Sequence, residues 1–216
     1  MTNDRALLSE ITYGAFLAYS PRGQTRVSID SRRIVRDGVK HDTPHIIRKA
    51  VERLLHILKG SGLEGFFGRN VILVPVPRRA PLRVKNALWP GKRICEELVK
   101  VGLGREILPC LERKRAVPKS AYAQPGVRPD PQVHFDSMAL FPAVMIPEKI
   151  TLVDDFVTRG STLLAGTSHV QHSFPDTEVN AFALVRTRGL IPEIEKIVDP
   201  CVGRIWIEGG RIHRDP

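Results

Sequence analysis

The sequence has few of the residues that would place it in several common classes of protein. Its three cysteines, Cys95, Cys110 and Cys201, are isolated and form no CxxC pair, so no disulfide framework or zinc ribbon can be read from them. No apolar run approaches the roughly 18 residues of a membrane span, and the N-terminus lacks the basic and then apolar pattern of a signal peptide. We therefore expect a soluble, cytoplasmic protein in a reduced compartment, with no membrane contact.

Positive charge is abundant but concentrated in one region. The 216 residues are 42% hydrophobic and 26% charged, which favours one globular domain with elaborations over two small domains. Of the net charge of +10, residues 69–119 carry +9, from thirteen basic and four acidic residues. The basic region therefore needs an explanation, and it suggests an anionic partner whose identity net charge alone does not give.

Strand and helix patterns alternate along the chain. Strands are predicted over residues 11–19, 25–35, 71–74, 105–111, 149–153 and 179–186, helices over 44–58, 91–101 and 161–173, and a hairpin over 204–213. Residues 112–147 are rich in proline and show little periodicity, which is typical of a functional lid or a disordered segment. The alternation predicts an α/β fold with a mainly parallel sheet.

One segment carries most of the chemical information. The apolar strand at residues 150–153 delivers Asp154 and Asp155 to its carboxyl end, and a hydroxyl- and glycine-containing loop then opens a helix. A phosphate fits the unpaired N–H groups and positive dipole of a helix N-terminus, while two adjacent carboxylates can accept hydrogen bonds from vicinal sugar hydroxyls. A phosphorylated ribose satisfies both halves of the segment.

The same string resembles the phosphoribosyl pyrophosphate (PRPP) motif of type I phosphoribosyltransferases. The resemblance implies that the ribose and its 5-phosphate are bound by Asp154, Asp155, Val157, Thr158, Arg159, Gly160, Ser161 and Thr162, with the two aspartates as the catalytic candidates. Upstream, Val74-Pro75-Val76-Pro77 resembles the pyrophosphate loop of the ComF-like members of the family, which implies pyrophosphate binding by Pro77, Arg78 and Arg79. Arg113, Lys114, Arg115 and Lys119 are similar to the basic residues of that family's mobile segment.

This resemblance, over roughly residues 71–187, implies the type I phosphoribosyltransferase fold. We expect a core over residues 69–190 with a mobile segment at about 112–147, an N-terminal part over 1–68 that packs on the core, and a C-terminal hairpin over 191–216; the terminal parts would form a small hood. The implied activity is transfer of ribose 5-phosphate from PRPP to a nitrogen nucleophile. Mg²⁺ would be held mainly by PRPP, with Asp154 and Asp155 as the protein ligands, and not by protein ligands alone.

Departures from the family leave alternatives open. The chain has no N-terminal cysteine set like the zinc site common in ComF-like proteins, and Thr158 stands where purine-salvage relatives place an acid, which counts against a purine acceptor. A non-catalytic module that senses PRPP or a nucleotide, or associates with DNA through the basic region, is the second hypothesis. The apolar face of residues 46–58 is predicted to join the core, with a homodimer contact as its alternative. His169 and His172 share a helix face, and two such ligands alone make a weak metal site.

Overall fold

A computed structural model describes residues 6–81, 87–117, 130–141, 147–191 and 193–216. Its strands are β1 (Glu10–Tyr19), β2 (Val71–Pro75), β3 (Glu106–Ile107), β4 (Leu111–Arg113), β5 (Met138–Leu140), β6 (Lys149–Val157), β7 (Glu178–Thr187), β8 (Val198–Glu208) and β9 (Arg211–Asp215). Its α-helices are α1 (Arg26–Asp30), α2 (Gly38–Lys40), α3 (Pro44–Ile57), α4 (Pro90–Lys100), α5 (Pro131–Asp136) and α6 (Ser161–Ser173).

Seven strands form one sheet in the order β3-β2-β6-β7-β1-β8-β9. The first five of these strands are parallel to their neighbours, whereas β8 pairs antiparallel with both β1 and β9. The remaining two strands, β4 and β5, form a separate antiparallel ribbon. The predicted α/β class with a mainly parallel sheet flanked by helices is therefore confirmed. No helix within the described ranges is both long enough and apolar enough to cross a membrane.

Helices cover both faces of the sheet, so its central strands are buried on two sides. Val71 and Leu73 pack in the cluster that contains α3 and α4, and the alternate residues Ile72 and Val74 pack in the cluster that contains α6. A strand buried on both faces has to be apolar throughout, which explains the continuous apolar run of β2. The apolar side of α3 belongs to the first cluster, as expected from its spacing.

The predicted strand over residues 25–35 is wrong, because this segment is helical. It consists of α1, a π-helical stretch at Ser31–Asp37, and α2. Thr25 caps α1 by accepting a hydrogen bond from the Ser28 N–H at 3.3 Å. The Glu193 carboxylate accepts hydrogen bonds from the Gln24 and Thr25 N–H groups at 2.7 and 3.0 Å and anchors the start of the helix. The alternating residues therefore lie on a capped helix and do not join the sheet.

The region after α4 differs from the prediction in two ways. The predicted strand over 105–111 is short, since only Glu106–Ile107 pair with β2. The described part of the proline-rich segment 112–147 contains α5 and β5, which the sequence pattern did not predict. Asp130 caps α5 by accepting a hydrogen bond from the Gln132 N–H at 2.9 Å, and Pro131 occupies its first turn.

Candidate functional site

The two aspartates of the PRPP-like motif lie near the carboxyl end of strand β6. Both are partly buried, and the Asp154 carboxylate accepts a hydrogen bond from the Asp155 N–H at 2.9 Å. Burial raises the pKa of Asp154 well above its usual range, and the neighbouring Asp155 carboxylate adds to the rise. The charge of Arg113 opposes it. Asp154 therefore holds its proton more readily than an exposed aspartate does.

The loop after β6 leads directly into α6. Gly160 has a φ of 97°, in the left-handed region that favours glycine, and its backbone passes against Ile205 of β8. Ser161 begins the helix, and no side chain caps the N–H groups of its first turn. These N–H groups, together with the hydroxyls of the exposed Thr158 and the half-buried Ser161, provide several hydrogen-bond donors at the start of α6. Such a set suits a phosphate group.

The proposed pyrophosphate loop begins beside the aspartates. Pro75, the last residue of β2, pairs with Val153 of β6, and the Val76 N–H donates to the Val153 oxygen at 2.8 Å. The Trp89 indole donates to the Val76 oxygen at 2.7 Å, which fixes the loop against the start of α4. Pro77 is buried here, whereas Arg78 is half-buried and Arg79 is exposed.

Arg113 of the predicted mobile segment is buried and joins three parts of the site. Its Nε donates to the Arg78 oxygen at 3.1 Å, and its Nη1 donates to the His134 oxygen at 3.2 Å and to Ser137 Oγ at 2.6 Å. Burial lowers the pKa of Arg113 to about 10, and the negative charge of Asp154 acts in the opposite direction. Arg113 is thus buried, and its donors are engaged by oxygens of the protein.

The other basic residues of that segment border an open cleft. The Val117 N–H donates to the Arg79 oxygen at 2.8 Å, so residues 113–117 run along the pyrophosphate loop. Lys114 and Arg115 are exposed, and with Ala80, Pro81 and Ala116 they line a cleft of about 520 Å³. Lys119, the last residue predicted for the segment, lies outside the described residues.

Sequence reasoning missed the contribution of α5. His134 Nδ1 lies 3.3 Å from Thr162 Oγ1, so α5 contacts the first turn of α6. Burial, helped by the charge of Arg113, lowers the pKa of His134 to about 4. Phe135 stacks on His169 with 4.0 Å between ring centroids, which places His169 in the packing between these helices. No sequence signal links these residues, because the contacts join segments that lie about thirty positions apart.

Asp154 and Asp155 are the candidate ligands for a magnesium ion. Within the described ranges, no group of three or more histidine, cysteine, aspartate and glutamate side chains could hold a metal ion. Mg²⁺ keeps several of its waters and binds through one or two carboxylates together with substrate phosphates. Asp154 and Asp155, side by side at a strand end, provide a donor set of that kind.

Comparison with models of known protein families finds none that matches the chain, and comparison with curated proteins finds no match. The function of the chain is therefore inferred from the residues of this site.

Proposed function

We propose that the chain binds PRPP with Mg²⁺ and transfers its ribose 5-phosphate to a nitrogen nucleophile, in the manner of a ComF-like type I phosphoribosyltransferase. The observation that carries this proposal is the pairing of β2 with β6. This pairing puts the Pro77–Arg79 loop and the Asp154–Asp155 pair next to each other, towards the carboxyl ends of two neighbouring strands. α6 begins a few residues further on. The sites for pyrophosphate, ribose and 5-phosphate would then follow one another along the carboxyl ends of the strands.

Each residue has a distinct role in this proposal. Asp154 and Asp155 accept hydrogen bonds from the ribose hydroxyls, and the loop from Thr158 to Thr162 holds the 5-phosphate with its N–H and hydroxyl donors. Arg78 and Arg79 hold the pyrophosphate, and Arg113 keeps their loop in place through the Arg78 oxygen. Asp154 and Asp155 would hold magnesium together with the substrate, and the metal would supply positive charge that stabilises the leaving group.

The transfer step exchanges one bond at C1 of the ribose for another. The bond from C1 to the pyrophosphate oxygen breaks, and its electron pair leaves with pyrophosphate. The lone pair of the acceptor nitrogen forms the new bond, and the proton of that nitrogen passes to water or to a pyrophosphate oxygen. Because positive charge develops on the sugar, the protein contributes chiefly by orienting the reactants and stabilising the departing anion.

A DNA-associated module is less well supported by the basic region. Proteins that bind single strands combine a basic groove with aromatic side chains on which the bases stack. Trp89 is the only aromatic residue of residues 69–119, and its indole N–H is engaged by the Val76 oxygen. The exposed cations that line the cleft, Lys114 and Arg115, suit a small polyanion. A module that only senses PRPP would use the same site without releasing pyrophosphate.

Calorimetric titration with PRPP in the presence and absence of Mg²⁺ tests the proposal. We expect Mg²⁺-dependent binding to the wild type and at least about tenfold weaker binding to Asp155→Asn, equivalent to roughly 1.4 kcal/mol. Asp176→Asn is the matched control, since Asp176 is exposed just before the amino end of β7. Equal affinity in Asp155→Asn and wild type would refute the assignment of the site. Pyrophosphate release in the presence of nitrogen nucleophiles then separates an enzyme from a sensor.

A further inference from the structure

A second cationic site lies on the other side of β6 from the pyrophosphate loop. β7 carries Arg186 and is followed by Arg188, while Asp199 lies at the start of β8 and Lys196 lies two residues before that strand. The Asp199 carboxylate is within 3.8 Å of Arg188 Nη1 and 3.4 Å of Lys196 Nζ, and it also accepts a hydrogen bond from Arg186. Three cations therefore surround a single carboxylate, which leaves an excess of positive charge. We call these four residues the Asp199 cluster.

Arg186 is the unusual member of the Asp199 cluster. It is only 2% exposed, and its side chain reaches from β7 across β1 to Asp199 on β8. Its Nε and Nη1 are buried and have no acceptor in the part of the chain that the structure describes. Buried N–H groups almost always have an acceptor from the protein, a water or a ligand. The guanidinium thus offers two donors that Asp199 does not use.

The described groups beside the Asp199 cluster include a further cation, Arg214, and the uncharged oxygens that it contacts. Arg214, a fourth cation, donates to the Thr187 oxygen at 2.7 Å and to the Tyr13 hydroxyl at 2.9 Å. Burial raises the pKa of Tyr13, which keeps this hydroxyl neutral, and the hydroxyl itself donates to the Pro216 oxygen. The acceptors of Arg214 that the structure describes are therefore uncharged oxygens.

The strand that carries Arg186 also contacts the loop after β6, which belongs to the proposed PRPP site. Arg186 pairs with Val157 in the ladder between β6 and β7, and the hydroxyl of the next residue, Thr187, lies 3.1 Å from that of Thr158. β6 separates β2 from β7 in the sheet. A leaving group held by the loop after β2 would therefore depart on one side of the ribose, and the Asp199 cluster lies towards the other.

We propose that the Asp199 cluster is an anion-binding subsite that takes the acidic group, a carboxylate or a phosphate, of the acceptor. This inference rests on the proposed function for the identity of the occupant, because a nucleophile attacks C1 on the side away from the departing pyrophosphate. Arg188 and Lys196 form the accessible rim of the subsite, with 24% and 67% of their side chains exposed. An acidic group there would hold the rest of the acceptor towards the Asp154–Asp155 pair.

Benzoate and benzamide are suitable probes, since they have nearly the same shape and differ in charge. We expect benzoate to shift the NMR signals of the Arg186 Nε–H and of the amides of residues 186–188 and 196–199 in a saturable way, and benzamide to leave them unchanged. Arg186→Gln would leave the Asp199 carboxylate without its buried partner and could unfold the chain. The double variant Arg188→Gln/Lys196→Gln therefore carries the test, and we expect it to bind benzoate at least tenfold more weakly. Lys59→Gln is the control, because this lysine is exposed and is not a member of the Asp199 cluster.

The same titration with PRPP and Mg²⁺ present identifies the occupant. Simultaneous binding of benzoate and PRPP supports an acceptor subsite. Displacement of benzoate by PRPP would assign the Asp199 cluster to a phosphate of PRPP and overturn the acceptor role. Equal benzoate binding by the double variant and the wild type, or no benzoate binding, would overturn the anion site itself. Failure of PRPP to bind while benzoate binds would remove the proposed function and the acceptor role but not the anion site.

Discussion

The Arg113 guanidinium donates from Nε to the main-chain oxygen of Arg78 across 3.1 Å and ties β4 to the loop that follows β2. Its other contacts reach α5, which in turn touches the first turn of α6 through His134 and Thr162. One buried side chain therefore links the two loops that are proposed to hold the two ends of PRPP. A change at Arg113 should disturb both loops even though Arg113 binds no ligand in this account.

Arg113→Lys keeps the positive charge but cannot reproduce the planar fork of donors. We expect the free energy of unfolding to fall by about 1–3 kcal/mol, because the oxygens of Arg78 and His134 lose buried hydrogen bonds. PRPP affinity should fall as well. Urea denaturation and calorimetry measure the two effects. Arg115→Lys, at an exposed position, is the control and should change stability by less than about 0.5 kcal/mol; equal effects of the two variants would contradict the positioning role.

Gly160→Ala should destabilise the chain and distort the phosphate loop. Its φ of 97° is unfavourable for a residue with a Cβ, and that Cβ would lie 2.8 Å from Ile205 Cγ1. We expect a loss of at least about 1 kcal/mol in the free energy of unfolding, together with weaker PRPP binding. Gly189→Ala is a matched control because a Cβ there meets nothing within 4 Å. A Gly160→Ala variant as stable as the control would show that the loop does not need the left-handed conformation.

Asp154→Asn should make the chain more stable at neutral pH while weakening PRPP binding. The folded state raises the pKa of Asp154 above its value of about 3.9 in an unfolded chain. The folded protein therefore holds a proton that the unfolded chain releases, and stability falls as the pH rises from about 4 through the raised pKa. The Asp154→Asn variant does not lose stability in this way, because its amide side chain does not titrate. Urea denaturation at pH 4 and pH 7 should show a gain for Asp154→Asn that is larger at pH 7; a wild type more stable than the variant at pH 7 would contradict the prediction.

His134 should give the opposite pH dependence. Its pKa in the folded chain is about 4, below the value of about 6.5 for an unfolded chain, so the unfolded chain takes up the proton first as the pH falls. The stability that the neutral imidazole contributes is complete above pH 6.5 and is lost progressively towards pH 4. Between these pH values the wild type should lose up to about 3 kcal/mol more than His134→Gln. Asp154 titrates in both proteins, so parallel curves for the two would exclude the lowered pKa of His134.

The sequence predicts those parts of the site that depend on neighbouring residues. α6 begins and ends at the predicted residues because an apolar strand, a glycine at the loop and a helical spacing of apolar residues follow one another directly. The strand before it is longer than predicted, since β6 continues through Asp154 and Asp155 to Val157. Polar residues ended the apolar pattern there, but pairing with β7 continues the ladder.

Contacts between distant segments were not predictable in the same way. The helical segment after Thr25 is anchored by Glu193, which lies 168 positions away, and the alternating pattern of residues 25–35 gave no indication of that partner. Arg113 was expected to belong to a mobile segment because, with Lys114 and Arg115, it resembles the basic residues of that segment in ComF-like proteins. Its burial depends on α5 and on the Arg78 oxygen, 35 positions away. Local patterns therefore identified the two loops of the site but not the arginine that links them.

Amide hydrogen exchange with and without PRPP and Mg²⁺ tests the whole proposed site at once, because it reports where the ligand binds. We expect PRPP to slow amide exchange in two places. One is the loop after β2, at residues 76–81, and the other is residues 158–163, which comprise the loop after β6 and the start of α6. Amide exchange in the hairpin of β8 and β9 should be unchanged beyond Asp199. In Asp155→Asn, the protection of both loops by PRPP should weaken together. Protection confined to that hairpin, or no protection in either loop at saturating PRPP, would contradict the account.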